Sequence, residues 1–268
     1  MKNNLNNKMP IITLTSDWGY KDHYLGVVKG TIHTKIPGCT IIDITHDIPP
    51  FDILQCSFIL KNCYRSFPPG TIHIIGIKTE ASIEFPHVAI LADNQYFIGA
   101  DNGIFSLIFE RKPKKIIELN IIQESDYFTF STRDVFIKAA LHIAQGKNIE
   151  ELGSETSNLC HRLNFSPVIS NSLIKGSVIY IDNYENVITN ISQKIFKDVG
   201  NGKSFKIYLP SPGYEIDEIS SSYGDVLDGE KLALFGTTGF LEIAINQGNA
   251  SSLLGLKMYD PIRIEFNK

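Results

Sequence analysis

Residues 11–50 read IITLTSDWGYKDHYLGVVKGTIHTKIPGCTIIDITHDIPP. The run IITLT (11–15) is short, apolar and rich in β-branched residues, the pattern of a buried strand. Beyond it the period changes. Tyr24, Val27, Val28 and Ile32 recur at helical spacing over 22–36, until Pro37-Gly38 stops the helix. TIIDIT (40–45) then reads as a second buried strand. Strand, helix and strand in succession predict a βαβ unit, and with it a parallel strand pair.

The same alternation extends outward. TIHIIGI (71–77) and HVAILA (87–92) predict two more strands. A helix over 52–66 begins at Asp52, a candidate N-cap, and ends before FPPG (67–70). A third runs from about Arg133 to Gln145, with Gly146 as its stop. After the polar stretch GSETSNLCHRLNFSP (153–167), strand patterns dominate: SLIKGSVIYID (172–182), NVITNI (186–191), SFKIYL (204–209), KLALF (231–235), FLEIA (240–244) and IRIEF (262–266), with GTTG (236–239) as a turn. The expected fold class is α/β. An N-terminal α/β domain with a mainly parallel sheet (10–155) leads through a linker (156–170) to a smaller C-terminal antiparallel β-barrel-like domain (171–268). Residues 1–9, polar and Asn-rich, read as a flexible tail.

Composition narrows the function. Of 268 residues, 43% are hydrophobic and 20% charged, the profile of a soluble globular protein able to bury a substantial core. A net charge of −4 argues against a nucleic-acid partner held by phosphate contacts, and the basic run RKPKK (111–115) reads as a solvated connector. The four cysteines form no C-x-x-C pair, so no zinc ribbon or redox motif is implied and the expected compartment is reducing, the cytoplasm. The tail lacks a signal-peptide core, and no apolar run is long enough to span a membrane. The common nucleotide, serine-hydrolase and zinc-protease signatures are absent.

In an open α/β sheet, ligands gather at the carboxyl ends of the strands. SDWG (16–19), THDIPPFD (45–52), KTEAS (78–82), ADNG (100–103) and FSTRD (130–134) lie there, which makes Asp17, Asp47, Asp52, Asp101 and Asp134 candidates for one cleft. Several have ordinary readings. Asp52 and Asp134 suit a helix's first turn, and Asp101 suits a turn. Asp17 is the best ligand candidate, because Trp18-Gly19 separates it from the next helix. His46 reads as either catalytic or structural.

Taken together, TSDWG (15–19), DITHDIPPFD (43–52), FPPGTIHI (67–74), FIGADNGIFSL (97–107), RDVF (133–136), IDNYENVITNI (181–191) and GTTGFLEIAINQGNASSLLGL (236–256) resemble one family in order and across both domains. It is the S-adenosyl-L-methionine (SAM) hydroxide adenosyltransferase family, related to the SAM-dependent fluorinases and chlorinases. The resemblance implies a homotrimer. The SAM site would lie between one subunit's N-terminal domain and its neighbour's C-terminal domain. The reaction implied is displacement at the 5′ carbon by water or halide, with methionine leaving. SAM is then the substrate, no cofactor or metal is implied, and the partner is a small adenosyl ligand rather than nucleic acid or membrane.

Residue by residue, the resemblance implies that Asp17 holds the ribose hydroxyls and that Phe51 packs beside the ligand. Asp182 and Asn186 would take polar groups of the methionine or ribose part, and Tyr223 would stack on adenine. Asn246 and Ala250 would line the adenine pocket, with Phe235 nearby. Singly, Phe51 and Phe235 also read as core, Tyr223 as surface loop and Asn186 as turn. The reacting positions are Lys78, Ser131, Thr132 and Arg133. Here the chain departs from the hydroxide-type pattern: Lys78 stands in the aspartate slot, no arginine falls between 78 and 90, and Ser131 stands in the histidine slot. Glu80, Glu84 and His87 share the Lys78 loop and are candidate replacement bases. Hydrolysis of SAM to adenosine and L-methionine is the expected activity. A non-catalytic adenosine- or SAM-binding protein is the alternative, and a SAM-dependent halogenase the third reading.

Overall fold

A computed structural model describes residues 9–123, 129–162, 166–211 and 213–267 of the chain. It divides into two compact units with the break near residue 162. The expected tail over 1–8, and positions 163–165 of the expected linker, lie outside the described residues.

The first unit runs β1 (Ile11–Ser16), α1 (Tyr24–Lys35), β2 (Thr40–Thr45), α2 (Ile53–Cys63), β3 (Ile72–Gly76), β4 (His87–Ala92), β5 (Gln95–Ala100), α3 (Ile104–Ile108), β6 (Lys115–Leu119), α4 (Ile137–Ala144) and β7 (Gly153–Glu155). Its sheet has the order β2-β1-β3-β5-β4-β6-β7. The strands β2, β1, β3 and β5 are mutually parallel; β4 and β7 run opposite to them, and β6, antiparallel to β4 and β7, runs with them. Five of the seven strands therefore point one way, which makes the sheet mixed but mostly parallel, as the βαβ pattern implied. The hairpin β4–β5 turns on Asp93-Asn94, both with positive φ, the two-residue turn that matches strand twist.

Both faces of this sheet are covered. Ile12, Leu14 and Ile74 pack with Val28 and Ile32 of α1 and with Ala140 of α4 on one side. Ile75, Ile77 and Phe97 pack with Cys56 and Leu60 of α2 and with Phe105 of α3 on the other. Asp52 caps α2 as expected, accepting the Gln55 N–H at 3.0 Å. Parallel strand ends and helix starts thus meet along one edge of the sheet, where SDWG and FSTRD lie.

The second unit contains β8 (Val168–Ser170), β9 (Leu173–Ile181), β10 (Val187–Ser192), α5 (Gln193–Gly200), β11 (Phe205–Tyr208), β12 (Glu215–Ile216), β13 (Lys231–Phe235), β14 (Phe240–Ile245), α6 (Ala250–Leu254) and β15 (Pro261–Phe266). Every named strand pair in it is antiparallel, in the order β12-β11-β15-β9-β10-β14-β13, with β8 added on β9. The result is a nearly closed, barrel-like sheet around Ile174, Val178, Ile191, Ile243 and Ile264. The helices α3, α5 and α6 were not expected; two of them have only 5 residues, too few for a helical period to show.

One buried histidine links this packing to pH. His73 on β3 is wholly buried. Its Nδ1 meets Thr13 Oγ1 at 2.7 Å, and its Nε2 meets Gln95 Oε1. Burial pushes its pKa down to about 4, opposed by the Gln95 hydrogen bond. The unfolded chain takes up a proton at this histidine below about pH 6.5, whereas the folded chain does not until about pH 4. Stability held above pH 6.5 is therefore lost as pH falls toward 4, by about 3 kcal/mol from this group alone. Urea unfolding between pH 7 and 4 should show that fall, and a folded His73→Gln variant should show a shallower one. Equal slopes for the two proteins would refute the assignment.

Candidate functional site

At the end of β1, Ser16 is buried and its Oγ lies 2.6 Å from His46 Nδ1. The other imidazole nitrogen faces Asp43 Oδ1 at 3.2 Å, and Asp43 Oδ2 takes the Lys29 ammonium. Burial lowers the His46 pKa although the Asp43 carboxylate opposes the shift. Burial pushes Asp43 up, but Lys29 and His46 together hold it below the usual carboxylate range. His46 is thus structural: its carbonyl also accepts the Gly19 N–H at 2.8 Å and so fixes the turn after Trp18.

This arrangement projects Asp17. Its Oδ2 accepts the Phe51 N–H at 2.8 Å, and no described residue donates to Oδ1. Phe51 is the residue before the cap of α2, with φ +66 and a side chain 70% exposed. Left-handed backbone at a non-glycine residue carries strain, which collects where a side chain must be aimed. Trp18 stacks on His46 and meets Phe130 edge-on at 5.7 Å. The indole lies so close over Gly76 that a Cβ there would fall 2.3 Å from its ring. Phe130 also receives the Arg133 guanidinium at 5.7 Å, and Arg133 grips Asp134 in a two-point ion pair.

The reacting positions differ among themselves. Ser131 and Thr132 are buried, and Thr132 Oγ1 has no hydrogen-bond partner among the described residues. Thr132–Phe136 winds as a π-helical turn rather than as the regular helix start the spacing predicted. Such turns recur at functional sites. Lys78 is exposed at φ +45, and the Asn102 side chain holds its carbonyl at 3.1 Å. Next to it, His87 Nε2 bonds the Thr79 carbonyl at 2.8 Å, and burial lowers the His87 pKa. Glu80 and Glu84 are exposed. The five strand-end acids have separate local roles. Asp52 caps, Asp134 pairs with Arg133, and Asp47 is exposed. Asp101 is buried, with a raised pKa from that burial, and accepts the Cys160 N–H at 2.8 Å.

The second unit gathers the other candidates. Asp182 Oδ1 accepts the N–H groups of Tyr184 and Asn186, and its Oδ2 accepts the Asn186 side chain at 3.1 Å. Glu185, inside that turn, takes the N–H groups of Ser251 and Ser252, so the Asp182–Asn186 turn sits at the start of α6 beside buried Ala250. Asn246 donates to the Val226 carbonyl at 2.8 Å, and Asn246 and Tyr223 line one cleft of about 790 Å³ with Leu227 and Asp228. Phe235 lies against Phe196 of α5, ring centres 5.4 Å apart. Glu242, which the sequence reading passed over, accepts the Tyr223 hydroxyl at 2.6 Å. Its signal was visible as a lone charge in an apolar strand. Among the described residues, no group of His, Cys, Asp and Glu could hold a metal, and no helix is long and apolar enough to cross a membrane.

Known proteins match this chain along most of its length. Residues 12–153 match the SAM hydroxide adenosyltransferase N-terminal domain, and 176–263 match the C-terminal domain of the same family. The (R)-S-adenosyl-L-methionine hydrolase of Methanocaldococcus jannaschii is 30% identical, over 96% of each chain. That of Thermus thermophilus is 29% identical, over 93% of this chain and 97% of its own. The crystal structure of an uncharacterized conserved protein from Thermotoga maritima superposes with a TM-score of 0.85 at 31% identity, over 95% of this chain and 99% of that one.

The strain at Phe51 is separable from its packing. Phe51→Gly should raise stability by about 1 kcal/mol, since glycine adopts this backbone freely and little buried surface is lost. Phe51→Ala keeps the strain and should stay within about 0.5 kcal/mol of the parent. Urea unfolding of the two variants checks this; a less stable Phe51→Gly would show that the exposed ring supports the fold.

Proposed function

The chain belongs to the SAM hydroxide adenosyltransferase family, and we propose that it hydrolyses SAM to adenosine and L-methionine by water attack at C5′. As the water oxygen bonds C5′, the C5′–S bond breaks, its electron pair passes to the methionine sulfur, and the water loses a proton. No cofactor is needed beyond SAM as substrate. The observation that carries this reading is the Asp17 carboxylate. One of its oxygens is held by the Phe51 N–H and no described residue donates to the other, which suits a ribose diol offering two O–H groups. The relatives named hydrolases, similar over nearly the whole chain, support the same reaction.

In this reading Phe51 packs beside the ligand, Asp182 and Asn186 take its polar groups, and Tyr223, Phe235, Asn246 and Ala250 surround the adenine. The buried Thr132 hydroxyl, without a hydrogen-bond partner among the described residues, would hold the attacking water, with Ser131 and Arg133 beside it in sequence. The ammonium of Lys78 is exposed, and no described residue pairs with it. A second reading, binding of adenosine or SAM without turnover, is favoured by the same position, because Lys78 stands where the hydroxide-type pattern has its aspartate.

Incubation of the purified protein with SAM, followed by product chromatography, should yield adenosine and methionine in equal amounts above a no-protein control. Asp17→Ala should weaken adenosine binding by about 100-fold or more while the melting temperature holds, the loss expected for two charge-assisted hydrogen bonds. Adenosine binding without product would select the non-catalytic reading. 5′-Chloro-5′-deoxyadenosine in high chloride would select the halogenase. Absence of binding to adenosine and SAM alike would reject all three.

The reading includes a cytoplasmic homotrimer in which one subunit's N-terminal residues and its neighbour's C-terminal residues share each ligand. Light scattering on the eluted protein should give three times the mass of one chain. A monomer that still turns over SAM would overturn the shared site.

A further inference from the structure

Glu242 is a charged residue in the middle of β14, only 7% exposed. In register it stands between Ile188 of β10 and Leu234 of β13, both apolar. A carboxylate in such a place costs stability unless it is partnered, and an apolar residue would serve the sheet better. The Tyr223 hydroxyl donates to Glu242 Oε1 at 2.6 Å. The other oxygen is aimed at Gly236, where a Cβ would come within 2.7 Å of Oε2. Space for the carboxylate is thus kept by the lack of a side chain on the facing strand end.

The partner is unlike Glu242. Tyr223 belongs to a short turn, Tyr223–Asp225, and is 44% exposed. That turn is closed by its own Ser222–Asp225 capping box, so its backbone does not depend on Glu242. What Glu242 fixes is the direction of the ring. We propose that Glu242 is a positioning residue, whose carboxylate holds the Tyr223 ring at the angle at which a purine base stacks on it. This rests on the reading of Tyr223 as the adenine-stacking residue, and it names the group that makes an exposed loop aromatic into a fixed surface. A ring held in advance loses less freedom when the base arrives, so the hydrogen bond acts on affinity rather than on the displacement step. Burial pushes the Glu242 carboxyl up, an effect the Tyr223 hydrogen bond opposes and the charge of Asp182 adds to. Burial and the carboxylate likewise push the Tyr223 phenol up.

Calorimetry with adenosine tests the proposal on the full chain. Glu242→Gln keeps an acceptor oxygen and should stay within about threefold of the parent. Glu242→Leu and Tyr223→Phe should each weaken adenosine about tenfold, and the double variant should be no weaker than either alone. With SAM, Glu242→Leu should raise KM and keep kcat, and its melting temperature should match or exceed the parent's, which a merely structural carboxylate would not allow. A readout without ligand accompanies these. In protein labelled with 13C at tyrosine Cζ, the resonance lost in Tyr223→Phe should ionise at lower pH in Glu242→Leu. Parent-like adenosine affinity in Glu242→Leu, with that resonance shifted, would overturn the positioning role and leave the proposed function standing. Failure of the parent to bind adenosine or SAM would overturn both.

Discussion

The 2.6 Å contact between the Ser16 hydroxyl and the His46 imidazole, wholly out of water, ties the carboxyl ends of β1 and β2 together. Asp17, and through it Phe51, depend on this contact. Because His46 is anchored, its carbonyl can hold Gly19, and the two residues between are pushed out of the sheet. Asp17 turns toward Phe51, and Trp18 lies flat against His46 and over Gly76. Loss of the imidazole would leave the buried Ser16 hydroxyl without its partner, at about 1–3 kcal/mol, while Asp43 would keep Lys29. Burial lowers the His46 pKa against the pull of the Asp43 carboxylate, and Lys29, paired with Asp43, adds to the lowering.

Asp17 is not a helix cap. The helix α1 starts at Tyr24, after His23, with no side-chain cap at all. Asp17 instead accepts a backbone N–H from a residue 34 positions away. A carboxylate that ties two strand-end loops together, with no described residue donating to its second oxygen, has its position fixed by the fold itself. The Asp182 turn is similar in principle and different in means, since all its donors come from the next four residues.

Much of this was legible in the sequence, and the physical reason is periodicity. IITLT, TIIDIT and the helix between them carry their burial pattern within a few residues, so the βαβ unit could be read locally. The reversal of β4 could not, because an apolar run has no direction; only Asp93-Asn94, with two positive φ values, marks the hairpin. The π-helical turn at Thr132 and the left-handed Phe51 escaped because nothing in residue type demands them. Asp52 as a cap was local chemistry and was read correctly. Glu242 was visible as an anomaly in FLEIAI, but its partner lies 19 residues away in an irregular loop, and only the fold pairs them.

Lys78 is the position where sequence and structure together say most. A cation about 5 Å from a sulfonium costs roughly 3 kcal/mol at an effective dielectric of 20, but about 0.8 kcal/mol in water. Lys78 is exposed, its backbone is pinned by Asn102, and its neighbour Thr79 is pinned by His87. An ammonium in solvent therefore sits near the lower figure, and on binding it can swing away at little cost. Under the proposed function, Lys78 in the aspartate slot would act less as an electrostatic barrier than as the removal of a carboxylate. Under the proposed hydrolysis, acceleration of water would fall to groups that hold water and SAM together, and the buried Ser131 and Thr132 hydroxyls before α4 are the candidates for that. Effective concentration in a shaped pocket can account for several kcal/mol of a displacement barrier without a base. Asp17, held by the Phe51 N–H, and Thr132, buried with no hydrogen-bond partner among the described residues, are the groups on which the proposed reaction would draw for that contribution.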